Sequence, residues 1–195
     1  MCNIILHSII IFFLTGCGGA SNQSADHPSL NIADFYGEYT FEEVAYMRKY
    51  SAKSEEDYQN DVKAVTETFT GVEFSIGESY FSETSGRFGG NPSEGFEFIT
   101  MKDYDDIYYD EVGGENLENF EGLSSLFDYE EIKKELGVNE IEHYIMYVED
   151  GILANPAFYI TNDNIYVANE DISYGETEDT FKGYTHYLLK LKEKE

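Results

Sequence analysis

Between residues 35 and 192 the chain falls repeatedly into short runs in which apolar and polar residues alternate with a period of two. Only an extended strand sends successive side chains to opposite faces, so each run reads as a half-buried β-strand. Phe35, Gly37, Tyr39 and Phe41 share one face of the first run, against Glu38, Thr40 and Glu42 on the other. Val72-Glu73-Phe74-Ser75-Ile76 alternates next, and Gly77-Glu78 reads as a turn into 79–81. Phe96, Phe98 and Thr100 mark a further strand, and 106–112 another. In 141–148, Ile141, His143, Ile145 and Tyr147 oppose Glu142, Tyr144, Met146 and Val148. The runs 157–161 and 165–168 flank Asn162-Asp163-Asn164, a compact hairpin signal. A last strand, 184–192, directs Tyr187, Leu189 and Leu191 to a core and His186, Lys190 and Lys192 outward.

Two helices interrupt the strands. Ser54 is an N-cap with Asp57 at N3, after which Tyr58, Val62 and Val65 share a face. Asp128 caps a second helix with Glu131 at N3, Ile132 and Leu136 four apart and Gly137 at the end. The pattern predicts a mainly β fold, an antiparallel barrel or strongly curved sheet with two short helices, filling 34–195 as a single domain. A closing strand paired with the first would remove exposed edges. Aromatic residues make up 16% of the chain, from 17 Tyr and 14 Phe, which suits a packed β domain rather than disorder.

Ahead of this domain the chain carries an address. Residues 4–14 are apolar apart from His7 and Ser8, long enough for a signal peptide and too short to span a bilayer. No Lys or Arg precedes them. The following Leu14-Thr15-Gly16-Cys17 resembles the lipobox of bacterial lipoprotein precursors. That resemblance implies a signal peptide over 1–16, lipid on the Cys17 sulfur and cleavage just before it. The protein would then lie outside the cytoplasm, anchored to a bacterial membrane at the outer membrane or cell surface. Residues 17–33 read as the lipidated cysteine and a flexible tether, whose ends stand about 20 Å apart. Cys2 leaves with the signal peptide and Cys17 carries lipid, so no cysteine remains for a disulfide.

Within the domain, Phe35-Tyr36-Gly37-Glu38-Tyr39 resembles the Gly-x-Trp/Tyr first strand of lipocalin-like, calycin-type domains. Leu136-Gly137-Val138 before an alternating strand, the late hairpin and the closing Tyr187-Leu188-Leu189-Lys190-Leu191 are similar in outline to uncharacterised secreted bacterial proteins of that type. The resemblance implies a barrel whose interior holds a small apolar ligand. Tyr39 stands where the better-known lipocalins carry Trp.

Charge narrows the partners. The net charge is −27, from 39 acidic and 12 basic residues, which repels nucleic acid and anionic headgroups and attracts cations or a basic protein. The chemistry-bearing residues form no catalytic motif. There is no Gly-x-Ser-x-Gly elbow, and His27 lies in the tether. His143, among apolar residues, reads as a packed residue rather than a base, and His186 as a surface residue. Zinc lacks a His-x-x-x-His or a cysteine pair. Calcium would draw on Asp103, Asp105, Asp106 and Asp110, which lack the central Gly and ligand rhythm of an EF-hand. Tyr104, Tyr108 and Tyr109 suit packing on a sheet surface better than an aromatic binding patch. Residues 82–94, with Gly86, Gly89, Gly90 and Pro92, read as a mobile loop without a phosphate-loop ending. The expectation is a non-enzymatic, cofactor-free lipoprotein that binds a small apolar ligand or a protein partner. The alternatives are an envelope assembly factor docking a basic partner and a surface hydrolase built on paired carboxylates.

Overall fold

A computed structural model describes residues 30–88, 95–111, 122–148, 151–174 and 181–195. Its strands are β1 (Gly37–Met47), β2 (Glu73–Gly77), β3 (Tyr80–Glu83), β4 (Glu97–Thr100), β5 (Glu142–Val148), β6 (Gly151–Ile160), β7 (Ile165–Tyr174) and β8 (Phe181–Glu193). All eight join one antiparallel sheet in the order β3-β2-β1-β8-β7-β6-β5-β4. The fold is therefore mainly β, and the sheet is curled into a half-barrel.

The first and last strands do pair, with Phe41 opposite Leu191, Val44 opposite Leu189 and Met47 opposite Tyr187. That pairing does not close a barrel. Both strands are also paired on their far sides, β1 with β2 and β8 with β7, so their junction lies in the middle of the sheet and β3 and β4 become its edges. Of the two expected architectures, the curved sheet is the one formed. The curl brings the edges together through side chains: Phe81 of β3 and Phe98 of β4 both pack edge-on against Phe158 of β6, with ring centroids 5.4 and 5.1 Å away.

The alternation is read correctly, but the central strands are buried on both faces. Phe158, Ile160, Val167, Leu189 and Leu191 enter the concave core with Phe69, Phe74 and Phe81. Their neighbours Tyr159, Tyr166, Ala168 and Leu188 enter a second core on the opposite face. Burying a side chain of this size contributes about 1.5–3 kcal/mol. That second core needs a cover, and helices supply it.

The helices are α1 (Glu55–Phe69), α2 (Met101–Glu111) and α3 (Tyr129–Leu136). Ser54 caps α1 as expected, its Oγ accepting from Asp57 N at 3.1 Å. The last residue of α1, Phe69, stacks on Phe88 inside the concave core. Asp128 caps α3 by accepting from Glu131 N at 3.0 Å, and Gly137 ends it with φ +69°. Helix α2 stands where the sequence suggests a strand over 106–112. Met101, Tyr104 and Ile107 form a helical stripe that packs on the second core, and Thr100 Oγ1 accepts from Asp103 N at 3.0 Å to cap the first turn. Spacing of three, not two, is the operative period there. Val112 lies outside the described residues.

Two loop assignments also shift. A 3-10 turn over Ile32–Phe35 precedes β1; Ile32 is buried, and Tyr144 donates to the Leu30 carbonyl at 2.8 Å. The packed domain thus reaches into residues 17–33, the stretch assigned to the tether. After β3, the Glu83 carboxylate accepts from Ser85 N and from Phe88 N, and Phe88 is buried. Residues 84–88 are therefore anchored rather than loose, while 89–94 lie outside the described residues.

Candidate functional site

On the outer face of the sheet, a line of polar side chains crosses four strands. His143 of β5 lies opposite Tyr159 of β6, and Glu170 of β7 lies opposite Thr185 of β8. The His143 ring stacks on Tyr159 with centroids 4.5 Å apart and planes 11° apart. Its Nε2 lies 2.9 Å from Glu170 Oε2, and the two side chains are only 3% and 5% exposed. The N–H does not point along the line a hydrogen bond needs, so Nε2 is held against the carboxylate without a hydrogen-bond partner of its own. Thr185 Oγ1 donates to the other carboxylate oxygen at 3.0 Å, and Tyr159 Oη lies 3.0 Å from Thr185 Oγ1. Asn155 holds the Glu170 backbone on both sides, its Nδ2 donating to the carbonyl at 3.0 Å and its Oδ1 accepting from the amide at 2.9 Å. Such enclosure is what a buried carboxylate requires, since an unpaired one costs several kcal/mol, about.

The cover over this line is the segment from Gly122 through α3. Asp105 of α2 accepts from Leu123 N, Ser124 N and Ser124 Oγ, fixing the turn. Phe127 then lies edge-on to His143 at 4.9 Å and seats on Gly183 of β8, where an added Cβ would come within 2.8 Å of its ring. Tyr129 Oη lies 2.9 Å from His143 Nδ1. Burial, and then the Glu170 charge, raise the Tyr129 pKa, so this residue remains a phenol and not a phenolate nucleophile. Tyr46 of β1 donates to Glu131 at 3.4 Å and ties α3 across to the first strand.

Beside the cover, α2, α3 and β5 enclose a cleft of about 300 Å³. Met101 and Ile141 give it apolar surface, His143 and Tyr129 form its inner wall, and Lys102, Glu130, Lys133 and Glu142 bring charge. Lys133 pairs with Glu130. Glu142 is half-buried and, among the described residues, accepts no hydrogen bond and makes no ion pair. Its pKa is raised, first by burial; the Lys102 charge opposes this, and Asp103 and Glu140 reinforce it. The arrangement can hold a proton or a cation at Glu142.

The residues singled out from sequence are distributed unevenly around this site. His143 is packed, as expected, but its partner Glu170 gave no signal, because it sits in an acidic tract with no motif. Asp103 and Asp106 are exposed on α2, while Asp105 is turned inward to the Gly122–Ser124 backbone. The helix points these carboxylates in different directions. Asp110 also belongs to α2. Among the described residues no group of three or more His, Cys, Asp or Glu is placed to hold a metal ion. Tyr104 packs against Tyr147 at 5.9 Å, and His186 Nδ1 lies 2.7 Å from Tyr50 Oη at the surface. Cys17 and His27 lie outside the described residues. Among the described residues no helix is long and apolar enough to cross a membrane. The chain matches no protein-family model, no curated protein and no solved structure.

Proposed function

We propose that the chain is an extracytoplasmic lipoprotein, cleaved before Cys17 and held to a bacterial membrane by lipid on that cysteine, with a non-enzymatic β domain that binds a basic protein partner. The anchor rests on the Leu14-Thr15-Gly16-Cys17 motif behind its apolar run. Two or more acyl chains, at about 0.8 kcal/mol per buried methylene, give stable attachment. The lipocalin-like resemblance supports reading the domain as a binding module.

One observation favours a protein partner over a small apolar ligand. Phe81, Phe98 and Phe158 meet inside the curled sheet, in the space a calyx would leave for its ligand. Recognition then falls to the outer surface of a chain whose net charge is −27. Such a surface steers a cationic protein at long range and loses its grip as salt is added.

Incorporation of labelled fatty acid in a bacterial host tests the anchor. The wild type takes up label and sediments with membranes, whereas Cys17→Ser does neither; a labelled Cys17→Ser variant overturns the assignment. Native mass spectrometry of the full chain in detergent tests the binding class. One equivalent of an apolar small molecule retained by the domain overturns the choice of a protein partner. Association with that partner should weaken by about an order of magnitude between low and high salt. Salt-insensitive association counts against the acidic surface as the docking face.

A further inference from the structure

The docking reading leaves open where on the surface a partner is gripped. We infer that the cleft between α2, α3 and β5 receives one lysine or arginine side chain of the partner, with its methylenes against Met101 and Ile141 and its charge at Glu142. This rests on the proposed docking of a basic protein and specifies its anchor point.

A volume of about 300 Å³ admits one extended side chain and no folded segment. Its lining is mixed in the way a long basic residue requires. Lysine and arginine bury an apolar stem while keeping a charged head on a polar partner. Met101 and Ile141 meet the stem, and Tyr129 lines the inner wall.

The charges at the cleft decide the sign of the guest. Lys133 is already paired with Glu130, so neither one is left to select a ligand. Glu142 has no hydrogen-bonding or ion-pair partner among the described residues. It is half-buried, so it has given up part of its water without a cation in direct contact in exchange. Lys102 does attract it, but Lys102 is exposed, and the Asp103 and Glu140 charges act against it. A cation entering the cleft would supply what Glu142 lacks. An anion would meet Glu142 with its lost hydration still uncompensated. The chain's charge of −27 adds the long-range attraction that delivers such a guest.

Two pentapeptide probes test the inference, acetyl-Gly-Ser-Lys-Ser-Gly-amide and the same peptide with norleucine in place of lysine. The norleucine version keeps a hydrocarbon stem and removes the charge. The readout is the Met101 and Ile141 methyl resonances of the full chain in neutral detergent. The lysine peptide should shift both methyls saturably, and the norleucine peptide should not. Glu142→Gln should weaken the lysine peptide about tenfold or more. Glu56→Gln, which removes the same charge from the exposed side of α1, should change its affinity by less than about twofold. The methyl spectrum of each variant without peptide reports whether it is folded. Equal binding of the two peptides, unchanged binding to folded Glu142→Gln, or no methyl shift overturns the cleft assignment. Equal losses in Glu142→Gln and Glu56→Gln also overturn it, but they keep the docking reading, because they trace binding to the general acidic field. Failure of the full chain to bind octalysine at low salt removes the docking reading itself.

Discussion

His143 and Glu170 stand on strands that never pair, β5 and β7, and their side chains meet 2.9 Å apart across the face of the intervening Tyr159. The contact therefore clamps three strands at once. It places two ionisable groups in a region with almost no water, where each depends on the other.

Removing one member should cost more than removing both. Glu170→Leu leaves a buried imidazole facing hydrocarbon and should destabilise the domain by about 3–5 kcal/mol. The double variant His143→Phe/Glu170→Leu should lose less than the sum of its single changes, because neither polar partner is then stranded. Urea unfolding of the four proteins gives the coupling directly. Strict additivity would mean that the pair contributes nothing as a pair.

The cover depends on a glycine beneath an aromatic ring. Gly183→Ala puts a methyl 2.8 Å from Phe127, and the ring is held by His143 on one side and by the fixed Gly122–Ser124 turn behind it. Overpacking of this kind should cost about 1–3 kcal/mol. The thermal midpoint should fall, and the Phe127 and His143 ring resonances should shift together. An unchanged midpoint would show that Phe127 moves aside freely.

Two glutamates should shift stability with pH in opposite directions. Glu142 has a raised pKa in the fold, chiefly from burial, so the native state favours its protonated form. Its favourable contribution is complete below the unfolded pKa of about 4.3 and is lost as pH rises through the folded value. Glu142→Gln should therefore be more stable than the wild type at neutral pH, and this advantage should vanish in acid. Glu83 has a lowered pKa. Burial raises it, but the Ser85 hydroxyl and the Ser85, Arg87 and Phe88 amides outweigh that effect. Its contribution is present above the unfolded pKa and disappears as pH falls through the folded value. Glu83→Gln should be destabilised at neutral pH and approach the wild type in acid. Chemical denaturation from pH 3 to pH 8, about, compares all three; the same sign of change for both variants would contradict the assignment.

Leu189 is fully buried in the concave core, on the strand that joins the two halves of the sheet. Leu189→Asp should cost several kcal/mol, about, and leave the domain unfolded at moderate temperature. Lys192→Asp, exposed three residues further along β8, should change stability by about 0.5 kcal/mol or less. Circular dichroism melts separate the two cases. A normal melt for Leu189→Asp would place its side chain on the wrong face.

Strand-forming residues were legible because sheets read out a period of two, and both capped helices were legible because Ser54 and Asp128 accept the bonds their positions announce. The missed helix, α2, is crowded with acids, and the apolar spacing of Met101, Tyr104 and Ile107 competes with a tyrosine-rich run that also suits a strand. The choice between a barrel and a curved sheet stayed open for a different reason. Local alternation says that a strand has two faces, but neighbours are chosen by long-range pairing that no window of residues contains. The site was the least legible part. His143 could be seen to be inside, but Glu170, Phe127 and Gly183 reach it from β7, the cover and β8, and only the folded sheet brings them together.

The central position of the β1–β8 pairing sets an order of assembly. Strands β1 to β3 form one paired group and β4 to β7 another, and β8 is what joins them in the sheet. A chain emerging from its N-terminus can build either group early, but it cannot unite them until its last strand is released. Cutting the chain before β8 would therefore divide the protein rather than shorten it. Two half-sheets would remain on one chain, each with a raw strand edge where the seam should have been.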